Sequence, residues 1–354
     1  MAPFTGTVGV TGLNATDNPG PGVAVATALR HHPDFQGRIV GLAYDSLDPG
    51  LYLPGLFDAA FLIPYPSTGR AALLGRLEYI RETEGLDVLI PTLDSELPAL
   101  LGQEPTLEEM GIRTFLPTRA QHDERAKANL DLLRSRHDIP VPQCETLVSV
   151  DDLYTLHERM DFPVVVKSLF YGAKVAQTLD EAVAAFHMAA AKWGLPIIVQ
   201  RFVAGEEYNV AAIGDGRGGV VGAVPMKKLM LTDSGKGWAG VTIADRPLLA
   251  LTERIMAALK WRGPCEIEVM RDRDGGLHLM EINPRFPAWI DLTAGAGQNL
   301  PFAYVQLAMG EAVTLPPFKV GAAFVRASTN TLIDISALDA ISTAGEMLST
   351  RSSS

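Results

Sequence analysis

A chain of 354 residues with 41 acidic and 30 basic side chains, net −11 with neutral histidines, lacks the clustered Lys and Arg that a nucleic-acid surface requires. Its two cysteines, Cys144 and Cys265, have no metal-ligand or disulfide-framework spacing, no apolar run is long enough to span a membrane, and the start MAPFTGTVGV has no secretion-signal pattern. Two or three domains of a cytoplasmic enzyme in a reducing compartment are expected.

Thr7 to Thr11 reads as a short buried strand feeding the turn GLNATDNPGPG and the Ala-rich helical run VAVATALRHH. Strand, glycine-rich turn and helix open a doubly wound α/β domain. The turn does not have GxGxxG spacing, so tight strand-to-helix packing is favoured over a dinucleotide site. Further strand-like runs follow at Arg38–Ala43, Ala59–Ile63 and Val88–Pro91, with a helix at Arg70–Glu84 bounded by Pro66 and Gly85. The loop LIPTLDSELPAL places Asp94 and Glu96 after a strand. Ligands in open α/β sheets sit at that end, so these acids either face a substrate or favour a helix N-terminus.

HDERAKANLDLLRSRHDIPVPQ reads as a helix ending before Pro140, with Ala126, Leu130 and Leu133 on one face and Lys127 thirteen residues before that proline. Pro163–Val166 is a continuous buried strand, and Lys167 at its end is a point charge suited to phosphate oxygens. Asp180-Glu181-Ala182 opens an amphipathic structural helix. LPIIVQRFVAGEEYNVAAIG reads as strand, break and strand. Lys227, Lys228 and Lys236 occupy a basic, glycine-containing segment that could neutralise an anion, although at least two of them are expected to be simply exposed. A helix is expected at Leu248–Leu259, and another after Pro301. Gly295, Gly297 and Asn299 form a polar turn that could line an acceptor pocket, and Phe318–Ser354 holds at most one strand and a short helix.

The richest stretch is Gly263–Arg285, GPCEIEVMRDRDGGLHLMEINPR. Two strands joined by a charged turn would set Glu266 and Glu268 on one face, with Glu281 and Asn283 sharing a face of the return strand. Paired as a hairpin, Glu268, Glu281 and Asn283 converge on one oxygen-rich point with Arg285 just beyond. Such hard donors suit Mg²⁺, which completes its shell with waters and phosphates.

On GPCEIEV followed by EINPR, the chain resembles the ATP-grasp superfamily, most nearly its carbamoyl-phosphate synthase large subunit and biotin carboxylase branch. The resemblance implies a doubly wound pre-ATP-grasp domain at residues 1–120, followed by an ATP-grasp fold of two α+β subdomains. These would be a small lid subdomain with a linker helix at 121–204 and a large subdomain with the metal site at 205–345, before a disordered tail at 346–354. It implies ATP and Mg²⁺ (or Mn²⁺) as cofactors, with Glu268, Glu281 and Asn283 as metal ligands and Arg285 stabilising an acyl phosphate.

By the same resemblance, Lys127 and Lys167 contact nucleotide. The hinge Gln200-Arg201-Phe202-Val203 would serve adenine through Gln200, Phe202 and Val203, and Glu207 would hold the ribose. The glycine-rich lid of the family is short here, so Lys174 or the pair Phe170–Tyr171 is expected to cover the phosphates, and Lys236 to assist catalysis. The implied function is an ATP-dependent carboxylate–amine ligase acting in the cytoplasm on small molecules, such as amino acids or peptides, which could assemble as a homodimer. A bicarbonate-activating enzyme and a non-catalytic nucleotide-binding subunit are the alternatives.

Overall fold

The computed structural model describes residues 2–15, 19–169, 172–232 and 235–348. Short runs of Val, Ile, Leu and Ala build the first sheet: β1 (Thr7–Val10), β2 (Arg38–Ala43), β3 (Ala59–Leu62) and β4 (Leu86–Ile90). Their pairing is parallel, in the order β3-β2-β1-β4. Both faces of such a sheet are covered, which is why its strands are apolar rather than alternating. The helix Pro21–Arg30 starts on a proline, whose missing N–H costs nothing at a helix start. Gly22 follows, where an added Cβ would stand 2.0 Å from the Thr11 carbonyl oxygen. The glycine-rich turn therefore serves close packing. Helix Arg70–Glu84 buries Leu73, Leu77 and Ile80, one stripe at helical spacing, and ends on left-handed Gly85.

The second sheet comprises β5 (Cys144–Leu147), β6 (Val164–Ser168), β7 (Ala173–Ala176) and β8 (Ile197–Arg201), antiparallel in the order β5-β8-β6-β7. One face packs on the helix Leu179–Trp193, whose first turn is capped by Thr178. The third sheet has six antiparallel strands: β9 (Gly205–Asp215), β10 (Val220–Leu231), β11 (Gly237–Thr242), β12 (Arg262–Asp272), β13 (Leu277–Asn283) and β14 (Ala323–Val325). Their order is β13-β12-β9-β10-β11-β14. Gly263, at the start of β12, has φ +90°, and a Cβ there would stand 2.5 Å from the Phe115 carbonyl oxygen. A side chain at that position would push β12 off the segment following the first sheet.

Three expectations are corrected. The single helix expected around Lys127 is interrupted. A helix Arg119–Glu124, capped by Thr118 and Gln121, gives way at extended Ala126 to a 3₁₀ turn Lys127–Asn129 and then a helix Leu130–His137. That last helix packs through Leu130 and Leu133 on the core of the third sheet, not in the small unit. The tail expected to be disordered from 346 begins instead with β15 (Glu346–Met347), which pairs antiparallel with β3 and closes that edge of the first sheet. Among the described residues no helix is long and apolar enough to cross a membrane.

Candidate active site

The hairpin of β12 and β13 sets Glu268 opposite Glu281 and Glu266 opposite Asn283. Directly opposed strand residues share a face, so three carboxylates and an amide crowd one patch. Like charges so placed repel unless cations intervene. Burial first, then Glu266 and Glu281, pushes the Glu268 carboxyl up to about 8. Asn283 Nδ2 donates to Glu268 Oε1 at 2.9 Å and to Glu266 Oε2 at 3.3 Å. Lys127 Nζ reaches Glu281 Oε1 at 3.2 Å from the 3₁₀ turn.

Two more cations arrive from other strands. Lys167, second to last in β6, hydrogen-bonds Gln200 Oε1 on β8 at 2.6 Å. Burial lowers its pKa, against the pull of Glu281 foremost and also of Glu268. Lys228 on β10 is tied to Glu207 Oε1 on β9. Its pKa is raised despite burial, because Glu268 and Glu207 favour the charged ammonium.

Arg285, just past β13, closes the patch towards the first sheet. Its Nε donates to Asp94 Oδ2 at 2.9 Å, and its Nη1 to Glu266 Oε2 at 3.5 Å and the Phe286 carbonyl at 3.2 Å. Burial opposes the guanidinium charge, but Asp94 and Glu266 outweigh it and raise the pKa. Burial would likewise raise Asp94; Arg285 foremost, with Arg125 and Lys127, holds it below the usual carboxylate range. The two acids of the LDSE loop thus part ways. Glu96 turns inward, accepting from Thr11 Oγ1 at 2.7 Å and Tyr44 OH at 2.8 Å, and burial pushes its carboxyl up to about 7.

Lys127, Lys167, Gln200, Glu207, Glu268, Glu281, Asn283 and Arg285 therefore stand in one connected network of bonds and charges. Phe202 and Val203 lie in the link between β8 and β9, where the Phe202 N–H already donates to the Pro163 carbonyl at 3.3 Å. Lys174 falls outside the network. It pairs with Val166, whose face of the sheet is covered by helix Leu179–Trp193, while Lys167 points to the other face. Lys236 is exposed in the turn between β10 and β11, its backbone bonded to Thr232. Phe170 and Tyr171 lie outside the described residues. Asn299 is engaged elsewhere: it caps the helix Leu300–Ala308 by accepting from the Phe302 N–H and donates to the Ala28 carbonyl at 2.6 Å.

Sequence reasoning gave no role to Glu266, the hub of the patch. Besides Asn283 and Arg285, it accepts from Asn209 Nδ2 and Trp289 Nε1, both at 2.8 Å. Strand alternation had placed it on the right face, but nothing local showed that its partners would be Asn209 and Trp289. The donor set fits a hard divalent cation on two grounds. Burial and the neighbouring Glu266 and Glu281 disfavour ionisation of Glu268, a penalty that a bound cation would relieve. In addition, Asn209 Oδ1, paired across from Glu268, is buried without a hydrogen-bond partner. Among the described residues no three His, Cys, Asp or Glu side chains are gathered to hold an ion by themselves; the ligands expected from the sequence are two carboxylates and the Asn283 amide.

A family profile described as "ATP-grasp in the biosynthetic pathway with Ter operon" matches residues 195–330. A phosphoribosylamine–glycine ligase of Synechocystis is 27% identical over 262 residues, 66% of this chain and 61% of the relative. A D-alanine–D-alanine ligase of Chromohalobacter salexigens is 27% identical over 166 residues, 42% of this chain and 51% of the relative. The chain thus spans about half to three-fifths of the curated relatives it matches. Biotin carboxylase of Campylobacter jejuni superposes with a TM-score of 0.70 at 16% identity, covering 90% of this chain and 74% of that one. An L-amino acid ligase from Bacillus licheniformis gives 0.64 at 14%, covering 87% and 75%. At such identities these two structures speak for the fold.

Proposed function

This chain has the ATP-grasp fold, and from that premise we propose that it is an ATP-dependent, ADP-forming carboxylate–amine ligase. The observation that carries the reading is the convergence of Glu268, Glu281, Asn283 and Arg285 from one hairpin with Lys127 and Lys167 from two other segments. Glu268, Glu281 and Asn283 would hold Mg²⁺, which when bound neutralises phosphate charge and polarises the transferring group. Lys127 and Lys167 would grip nucleotide phosphates, Gln200 would face the base and Glu207 the ribose. Lys228 would leave Glu207 to make room for those hydroxyls.

In the first step a substrate carboxylate oxygen attacks the γ-phosphorus of ATP. The bond from that phosphorus to the bridging oxygen breaks, and ADP leaves with the electron pair. Arg285, fixed by Asp94 and Glu266, is placed to stabilise charge on the phosphoryl oxygens as they pass. In the second step the amine nitrogen attacks the carbonyl carbon, the carbon–oxygen bond to phosphate breaks, phosphate departs and the nitrogen gives up a proton. No covalent bond to the protein is required, so positioning and charge supply the rate.

The test is ADP release against pools of carboxylates and amines. Glu281→Ala is expected to cut that release by at least roughly a hundredfold, as removal of one preorganised charge does at such sites, with the circular dichroism spectrum unchanged. Undiminished ADP release by this variant would remove the metal assignment, and release driven by bicarbonate alone would replace the ligase reading with bicarbonate activation.

A further inference from the structure

One arginine at the junction of the first sheet and the acidic hairpin has no task in this scheme. Arg125 follows the helix Arg119–Glu124 and is half-buried. Its Nη2 lies 2.7 Å from His122 Nε2. A guanidinium can only donate, so Nε2 must accept, and the ring is neutral with its proton on Nδ1. That Nδ1 stands 3.5 Å from Asp123 Oδ1, where the proton finds an acceptor. Burial, and then the Arg125 charge, keeps the imidazole below its ordinary pKa, consistent with this tautomer.

The guanidinium is thus oriented by a neutral ring, but its charge is not matched. Among the described residues no carboxylate comes within ion-pair distance of it, and its Nε is buried without a partner. Burial disfavours the charge. Asp94, Glu281 and the adjacent Asp123 favour it at longer range, and Arg285 opposes it. A half-buried cation without a paired anion is costly in isolation. This one sits among the acid that fixes Arg285, the hairpin acid Glu281 and Arg285 itself.

We infer that Arg125 binds the substrate carboxylate that receives the phosphoryl group; the inference rests on the ligase reading above. With His122 taking one Nη2 hydrogen, the unpartnered Nε–H and the hydrogens left on the guanidinium remain to donate to carboxylate oxygens. In that reading Lys127 and Lys167 serve the nucleotide, and Arg125 shares the charge of Asp94 with Arg285, the group assigned to the phosphoryl being transferred. The anion could instead be a nucleotide phosphate, and the experiment separates the two sources.

Wild-type protein, Arg125→Gln and Arg125→Lys are compared for MgADP affinity by calorimetry. With MgADP saturating, acetate, glycine and succinate are then titrated at constant ionic strength against chloride, and binding is read as thermal stabilisation. All three proteins should bind MgADP within about twofold of one another, which also shows that the variants fold, and at least one carboxylate should stabilise the wild type. Arg125→Gln should weaken that carboxylate roughly ten- to a hundredfold, with Arg125→Lys in between. The inference is overturned if MgADP affinity falls instead in Arg125→Gln, if the carboxylate binds both proteins equally, or if no carboxylate outdoes chloride on the wild type. Failure of the wild type to bind MgADP at all would overturn the ligase reading as well, and so differs from failure of this inference alone.

Discussion

The two sides of the site are built in opposite ways. The unit of β5 to β8, which contributes Lys167 and Gln200, has a private core: Val164, Val166, Ile197 and Val199 pack with Ala182, Ala185 and Phe186 of its one long helix and with no side chain from either other sheet. The hairpin that contributes Glu268, Glu281 and Asn283 belongs to a sheet with no such independence. Its face towards the first sheet shares one continuous core with it, through Ala211, Ile213 and Met226 and through Phe286, Trp289, Ile290 and Tyr304. Tyr304 donates to the Leu89 carbonyl at 2.9 Å and accepts from the Phe115 N–H at 3.0 Å. The oxygen ligands and Arg285 therefore stand on a fused platform, whereas the Lys167 side is joined to it mainly by two chain crossings. Local opening should be easier on the autonomous side.

Cavity-making substitutions should break this contrast most visibly. Phe286→Ala, at a fully buried position shared by two sheets, should cost about 3–5 kcal/mol. It should raise hydrogen exchange in both the first sheet and the hairpin. Phe186→Ala, in the private core, should cost a similar amount but confine faster exchange to residues 144–201. Exchange spreading equally from both sites would erase the distinction.

A smaller effect comes from Glu96 on the platform side. Its carboxyl is near 7 in the folded protein against an ordinary 4.5, so between those values the unfolded chain has lost a proton that the folded one retains. Stability is full below about 4.5 and declines as pH rises through 7, by on the order of 3 kcal/mol for a shift of this size. Denaturant titrations across that range should show the decline in the wild type and a flatter line in Glu96→Gln. The smallest effect is expected at Lys174, exposed on the edge strand of the autonomous unit. Lys174→Ala should leave stability within about 0.5 kcal/mol, and calorimetry should find MgADP affinity unchanged.

The sequence was legible where structure is local. The alternation in CEIEV and the turn RDRDGG carry the hairpin, its shared face and the convergence of Glu268, Glu281 and Asn283. The doubly wound opening was legible for the same reason, because apolar runs and glycine punctuation set parallel strands and their helices. Legibility stopped where a partner is remote. Asp94 and Glu96 could not be told apart, since the arginine that claims Asp94 lies 191 residues on and the tyrosine that claims Glu96 lies 52 residues back. Lys174 was expected to cover the phosphates because the glycine-rich lid is short, but strand pairing with Val166 turns it to the opposite face. Arg125 was assigned no role, because its bond to His122 and its half-buried place depend on how the chain breaks after the helix, which no local pattern encodes.

The pairing of β15 with β3 orders events during synthesis. The outer edge of β3 receives its backbone partners from Glu346 and Met347, so the nascent first sheet must wait with one row of amides and carbonyls uncovered until nearly three hundred further residues, on the order of the separation of β3 and β15, have left the ribosome. An open edge is a template for strand addition from other chains. The interval before these residues emerge is therefore when neighbouring nascent chains are most prone to join edge to edge.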